Sequence, residues 1–282
     1  MKNILFPTDF SEAAQNAFVY ALQVAKQVGA TITTIHAYQT PNLGKANLPN
    51  VLQEVYESIE LEEFENFKDS VPVLKKIAEE QDCTDVHLNH VMKVGEAIPT
   101  IVNFAKSNNF DFIVMGTEGA SGLNEIFSGS VAGEVLEKAP CPVLVVPVNA
   151  KFDGKMDKIA MTTEFKEDEK RALEIVHAFA AIFGASINCV NVDVANVESY
   201  ANRMDAWRTE FAHLPNLSFT VIKSLNMESA IREFLEEQKI DVLAMLTHKR
   251  NFLQELFNFS FTKKMAYHLD TPILAIQAHN LD

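Results

Sequence analysis

Hydrophobic positions along this chain switch repeatedly between a short period and a helical one. Asn3 to Phe6 is a short apolar run, and beyond it Ala14, Phe18, Ala21, Leu22 and Ala25 recur at helical spacing until Gly29. Ser11 is a strong N-cap and glycine a common stop, so the pattern predicts a helix between them. Thr31 to Tyr38 alternates and is β-branched, as a strand requires. The acidic stretch from Val51 to about Glu80 reads as an amphipathic helix with Leu52, Val55, Ile59 and Phe64 on its apolar side, and Pro72 predicts a break within it. A strand at Val86 to Val94, a helix at Ala97 to Ser107 and a buried strand at Asp111 to Met115 follow. The loop Gly116 to Gly129 then leads into a helix from Ser130 to Lys138 and a last strand from Pro142 to Val146.

Strands that alternate with helices of this length pair in parallel through right-handed crossovers, which predicts an α/β fold with an open sheet and helices on both faces. After the linker-like stretch at residues 149–157, which holds Lys151, Asp153, Gly154 and Lys155, the same order starts again. Strands are expected at Lys158 to Thr162, Ser186 to Asp193, Leu217 to Lys223, Asp241 to Leu246 and Pro272 to Gln277. The halves also share residues: Asp111 with Asp241, Met115 with Met245, Phe127 with Phe257, Ser130 with Ser260 and Pro142 with Pro272 at one offset. A longer offset pairs Ile4 to Phe10 with Ile159 to Phe165, so the first half carries the longer insert, mostly between its second strand and third helix. One fold is duplicated, with domains at 1–148 and 158–282.

Composition narrows the functional classes. A length of 282 residues suits two domains, and 48% hydrophobic residues is ordinary globular usage. A net charge of −14 repels a phosphate backbone, which disfavours nucleic acid as a partner. The absence of an apolar run long enough to span a bilayer, and of a signal peptide pattern at the start, predicts a cytoplasmic protein with no membrane partner. Cys83, Cys141 and Cys189 are few and scattered and read as small core residues. His87 and His90 are three apart in a strand, on opposite faces, and make a poor metal pair, and Trp207 with Met204 and Phe211 reads as core.

The chemistry concentrates in Gly116-Thr117-Glu118-Gly119-Ala120-Ser121-Gly122-Leu123 and its continuation to Ser128-Gly129-Ser130-Val131. This loop follows a strand and precedes a helix, at the carboxyl edge where open parallel sheets bind ligands. Glycines let backbone N–H groups face an anion, and the helix start adds partial positive charge. The Ser130 hydroxyl can donate to a phosphate oxygen. The spacing is neither that of a Walker loop nor that of a dinucleotide-binding turn.

The spacing G-x-x-G-x9-G-[ST], carried by Gly116, Gly119, Gly129 and Ser130, resembles that of the universal stress protein family in its tandem form. Pro7-Thr8-Asp9 at the end of the opening strand and Val94-Gly95-Glu96-Ala97 after the third strand fit the same resemblance. It implies two adenine-nucleotide alpha-hydrolase-like domains, each an open five-stranded parallel sheet of order 3-2-1-4-5. It also implies a stress-response regulatory or sensor protein that binds ATP, ADP or AMP, with or without Mg²⁺, in the copy bearing the motif. By the same resemblance Asp9 would meet the adenosine end, Ala37 would line the base pocket and Met115 flank it, Pro7 and Thr8 would belong to the same nucleotide site, and Gly116, Gly119, Gly129, Ser130 and Val131 would hold ribose and phosphates. The resemblance further implies dimer formation through the last strand; in a tandem chain the two last strands, here Pro142 to Val146 and Pro272 to Ile276, would be expected to pair intramolecularly, with a further homodimer left open.

In the second half Gly116, Gly119 and Gly129 become Leu246, Lys249 and Phe259, and Asp9 becomes Glu164, so nucleotide binding is expected in the first domain only. The basic cluster His248-Lys249-Arg250 with Lys263 and Lys264 reads as a solvated loop. The chain lacks a Walker lysine and an evident Mg²⁺ carboxylate pair, so at most a weak ATPase is expected; Glu118 lies inside the loop, where an acid can orient a water, but it reads first as a solvent-facing loop acid. The alternatives are an ATP-hydrolysing or nucleotidyl-transferring enzyme and a nucleotide-free interaction module.

Overall fold

The computed structural model describes residues 1–40, 49–117, 131–194, 199–247 and 270–281, which divide into two compact units, Met1–Val135 and Leu136–Asp282. The first unit runs β1 (Asn3–Pro7), α1 (Glu12–Val28), β2 (Thr31–Tyr38), α2 (Pro49–Glu80), β3 (Leu88–Val94), α3 (Ala97–Ser107), β4 (Phe112–Gly116) and the start of α4 (Val131–Lys138). Its strands lie in the order β3-β2-β1-β4, all parallel, with Ile4 opposite both Ile32 and Phe112.

The second unit takes in the end of α4, β5 (Val143–Val146), β6 (Lys158–Thr162), α5 (Lys170–Phe183), β7 (Ser186–Asp193), α6 (Ser199–Glu210), β8 (Leu217–Lys223), α7 (Met227–Gln238), β9 (Val242–Thr247) and β10 (Ile273–Gln277). The parallel order β8-β7-β6-β9-β10 is the same winding, 3-2-1-4-5, counted from β6. β5 adds to the free edge of β10 in antiparallel sense, with Val145 opposite Ile273 and Val143 opposite Ala275.

The repeat extends to single hydrogen bonds. Helix α1 starts where the Ser11 side chain accepts from the Ala14 N–H and ends at Gly29, whose φ of 65° is the left-handed conformation that favours glycine; Gly184, with φ 65°, ends α5 in the same way. Asp111 Oδ2 accepts from the backbone N–H groups of Lys2 and Asn3 at 2.6 and 3.0 Å, and Asp241 Oδ2 accepts from Asp157 and Lys158, both at 2.8 Å. Each aspartate ties the entry of the fourth strand of its repeat to that of the first.

Burial raises both carboxyls, but the outcomes differ. At Asp111 the two N–H donors, the N-terminal ammonium and Lys2 outweigh it and hold the group below the usual carboxylate range, whereas at Asp241 burial prevails, aided by the nearby Asp157. A lowered folded-state pKa gives stability that is present above the unfolded value, near 4, and is lost as pH falls through the folded value. Asp111→Asn is therefore expected to cost about 0.5–1 kcal/mol at pH 7, held to that by solvent screening. Thermal melts should show the gap between wild type and variant beginning to narrow at about pH 4 and closing only below the depressed folded-state value, and a gap unchanged at the acid limit of folding would contradict the assignment. Asp241 has the opposite sign: its ionised form is disfavoured at neutral pH and relieved as pH falls.

Two local expectations need correction. Helix α2 runs unbroken through Pro72, because Leu74 and Ala78 just beyond it are buried and tertiary packing outweighs the missing N–H. Phe64 does not lie on a buried face: it is half-exposed, as is Leu61. Trp207 is core, 2% exposed, with Phe165 and Phe211 edge-on to it.

Candidate functional site

Parallel pairing of β1 with β2 and β4 brings three strand ends to one carboxyl edge. Pro7 ends β1 opposite Ile35, Ala37 is half-buried in β2, and Met115 and Gly116 end β4, Met115 being buried. Val131 opens α4 and is partly exposed. Gly119, Gly129 and Ser130 lie outside the described residues, as do Glu118 and the basic residues at 248–250, 263 and 264.

Gly116 is where β4 presses against the start of α1. A Cβ there would stand 2.9 Å from the Ala13 carbonyl oxygen, 3.0 Å from its carbon and 3.3 Å from the Ala14 nitrogen, closer than side chains approach backbone. The first glycine of the motif is thus required by strand–helix contact.

The turn after β1 is held atom by atom. Thr8 is buried; its N–H donates to the Ile35 carbonyl at 3.0 Å, its hydroxyl accepts from the Phe10 N–H at 3.0 Å, and its carbonyl receives His36 Nδ1 at 2.9 Å. Phe10 sits at φ 62°, a conformation uncommon for a bulky residue, and its carbonyl accepts from Gln15 Nε2 at 3.0 Å. Asp9 is exposed, and its Oδ1 accepts from the Ser11 N–H at 3.1 Å and the Ser11 hydroxyl at 2.7 Å. Helix α2 closes over this turn: Phe67 packs edge-on to Phe10, with centroids 5.8 Å apart, and Glu63 Oε2 comes within 3.6 Å of His36 Nε2. Burial and then the negative charges of Glu60 and Glu63 push the phenol of Tyr38, at the end of β2, above its usual range.

The equivalent turn of the second unit keeps the backbone and replaces the chemistry. Phe165 sits at φ 56°, its N–H donates to the Thr163 hydroxyl at 2.8 Å, and Asn191 Nδ2 donates to the Thr163 carbonyl at 2.8 Å. Here a side chain of the protein takes the turn's donors. Glu169, 8% exposed, accepts from the Thr163 hydroxyl at 2.8 Å, from the Glu164 N–H at 3.0 and 3.1 Å, and from the Lys166 N–H at 2.8 Å. Glu164, the counterpart of Asp9, pairs with Lys166 at 2.7 Å. Leu246 and Val192, the counterparts of Gly116 and Ala37, are both buried.

Residues 1–147 match the sequence model of the Universal stress protein family, more than half of the chain. The chain belongs to the universal stress protein family. Universal stress protein MJ0531 of Methanocaldococcus jannaschii is 36% identical over 146 residues, covering 51% of this chain and 81% of the relative. Universal stress protein MJ0577 of the same organism is 30% identical over 152 residues, covering 51% of this chain and 94% of the relative. Both relatives thus match about half of the present chain. Among solved structures, a universal stress protein from Archaeoglobus fulgidus superposes with a TM-score of 0.69 over 98% of this chain and 96% of its own, at 20% identity, which shows the fold across both units. Among the described residues no helix is long and apolar enough to cross a membrane, and no group of three or more His, Cys, Asp or Glu could hold a metal ion.

The residues that the sequence motif did not single out are Phe10, His36, Glu63 and Phe67. A signal for the first two was present: at the offset that pairs Ile4 to Phe10 with Ile159 to Phe165, Phe10 meets Phe165 and His36 meets Asn191, polar on polar within a strand.

Proposed function

We propose that this universal stress protein is an adenine-nucleotide-binding regulatory or sensor protein of the stress response, which takes one nucleotide per chain through its first repeat, residues 1–148. The observation that carries this reading is the G-x-x-G-x9-G-[ST] spacing, which starts at the buried end of β4, beside the Pro7-Thr8-Asp9 turn and Ala37 on the same carboxyl edge. In this reading Asp9 meets the adenosine end, Ala37 and Met115 line the base pocket, and Pro7 and Thr8 shape its floor. Gly116, Gly119, Gly129, Ser130 and Val131 hold ribose and phosphates, with Mg²⁺ as a companion of the phosphates. The small side chain of Ala37 and the compact, hydrogen-bonded Thr8 turn support the fit at the adenosine end.

The second repeat, residues 158–282, serves as a scaffold. Three features support that role: Glu169 on its turn donors, Leu246 in place of the first glycine, and Val192 in place of Ala37. The antiparallel register of β5 on β10 supports pairing of the two repeats through their last strands. A cytoplasmic setting completes the proposal.

The test is to purify the protein, pass it through gel filtration, denature it and identify what is released by mass. An adenine nucleotide is expected from wild type and none from Gly129→Val, whose branched side chain enters the phosphate cradle, at unchanged elution volume. A wild-type protein that releases no nucleotide and takes none up from solution would overturn the proposal.

A further inference from the structure

We propose that His36 is a positioning residue for the adenosine end of the nucleotide, acting through the Thr8 carbonyl to fix the turn that presents Asp9. The inference rests on the nucleotide reading above. A carbonyl oxygen only accepts, so in the 2.9 Å contact Nδ1 of His36 carries the proton and donates to Thr8. That bond adds to those of the Thr8 N–H, which donates to Ile35, and the Thr8 hydroxyl oxygen, which accepts from Phe10. The ring is itself held from two sides: Phe10 and Phe67 lie at centroid distances of 5.4 and 6.4 Å, and Glu63 on α2 stands 3.6 Å from Nε2.

The conformation so fixed is not one the chain adopts freely. Phe10 at φ 62° occupies a region that persists only where the surroundings over-determine it. Asp9 sits between Thr8 and Phe10, so rotation of the Thr8–Asp9 peptide would redirect its carboxylate. The second repeat supplies an internal comparison: with Phe165 at φ 56°, Asn191 at the position of His36 donates to the Thr163 carbonyl at 2.8 Å. Two different side chains thus make one bond, which identifies donation to that carbonyl as the shared requirement.

The experiment compares wild type, His36→Val and His36→Asn, each checked by a thermal melt, for affinity toward ATP, adenosine and inorganic tripolyphosphate. Valine suits a strand and keeps the fold while removing the donor. Loss of one buried bond predicts ATP and adenosine affinity about tenfold weaker in His36→Val, with tripolyphosphate within about twofold of wild type. His36→Asn should restore ATP affinity to within about threefold, because asparagine makes this bond in the second repeat. Equal ATP affinity in wild type and His36→Val, equal weakening toward all three ligands, or failure of asparagine to rescue would each overturn the positioning role. If His36→Val does not fold, His36→Leu, which also removes the donor, takes its place in the comparison. A wild type that binds no ATP would instead defeat the nucleotide reading on which the role rests.

Discussion

Glu169→Ala is expected to destabilise the second unit by about 2–3 kcal/mol, because it strips the acceptor from a buried hydroxyl and two backbone N–H groups at once. The Thr163 hydroxyl and the amides of Glu164 and Lys166 all donate to this carboxylate, and at 8% exposure water cannot replace it freely. Glu169→Gln keeps one oxygen and should lose less. The chain has a single tryptophan, Trp207, buried against Phe165 of the same turn, so its emission during urea unfolding reports on this unit directly. An unchanged midpoint in Glu169→Ala would mean that the carboxylate is not what satisfies the turn.

The second large effect belongs to Gly116→Ala. The added methyl would lie 2.9 Å from the Ala13 carbonyl oxygen and 3.0 Å from its carbon, and those atoms are backbone of the first turn of α1, unable to rotate aside. Either β4 or α1 must shift, at a cost of about 1–3 kcal/mol. The same shift moves Met115 against Asp9, so ATP affinity should fall by more than stability alone explains. Wild-type stability in this variant, measured by denaturant unfolding, would contradict the close approach of strand and helix.

Much of the fold was legible in the sequence because its signals are local. Ser11 and Gly29 bracket α1 through cap geometry that depends only on neighbours in the chain, whereas the match of Asp111 with Asp241 was visible through the repeat, although each bonds a first strand distant in sequence. What escaped depended on which side chains turn inward and what they meet there. Pro72 reads as a break until the burial of Leu74 and Ala78 is known. Phe64 fits an apolar stripe by spacing, yet the face that packs is set farther along α2. His36 offered only a polar residue in a strand, and its role needs the Thr8 carbonyl, 28 positions away, beside it. Glu169 was one of three consecutive acids, Glu167 to Glu169, and spacing does not say which of them turns inward.

Under the proposed function a single anion cradle per chain, in the first repeat, accepts an adenine nucleotide, while Glu169 fills the turn of the second repeat from within. Calorimetric titration of nucleotide-free protein with ATP measures this most directly. One equivalent bound per chain, abolished by Gly129→Val and unaffected by Glu169→Gln, is the predicted result; two equivalents, or one that survives Gly129→Val, would contradict it.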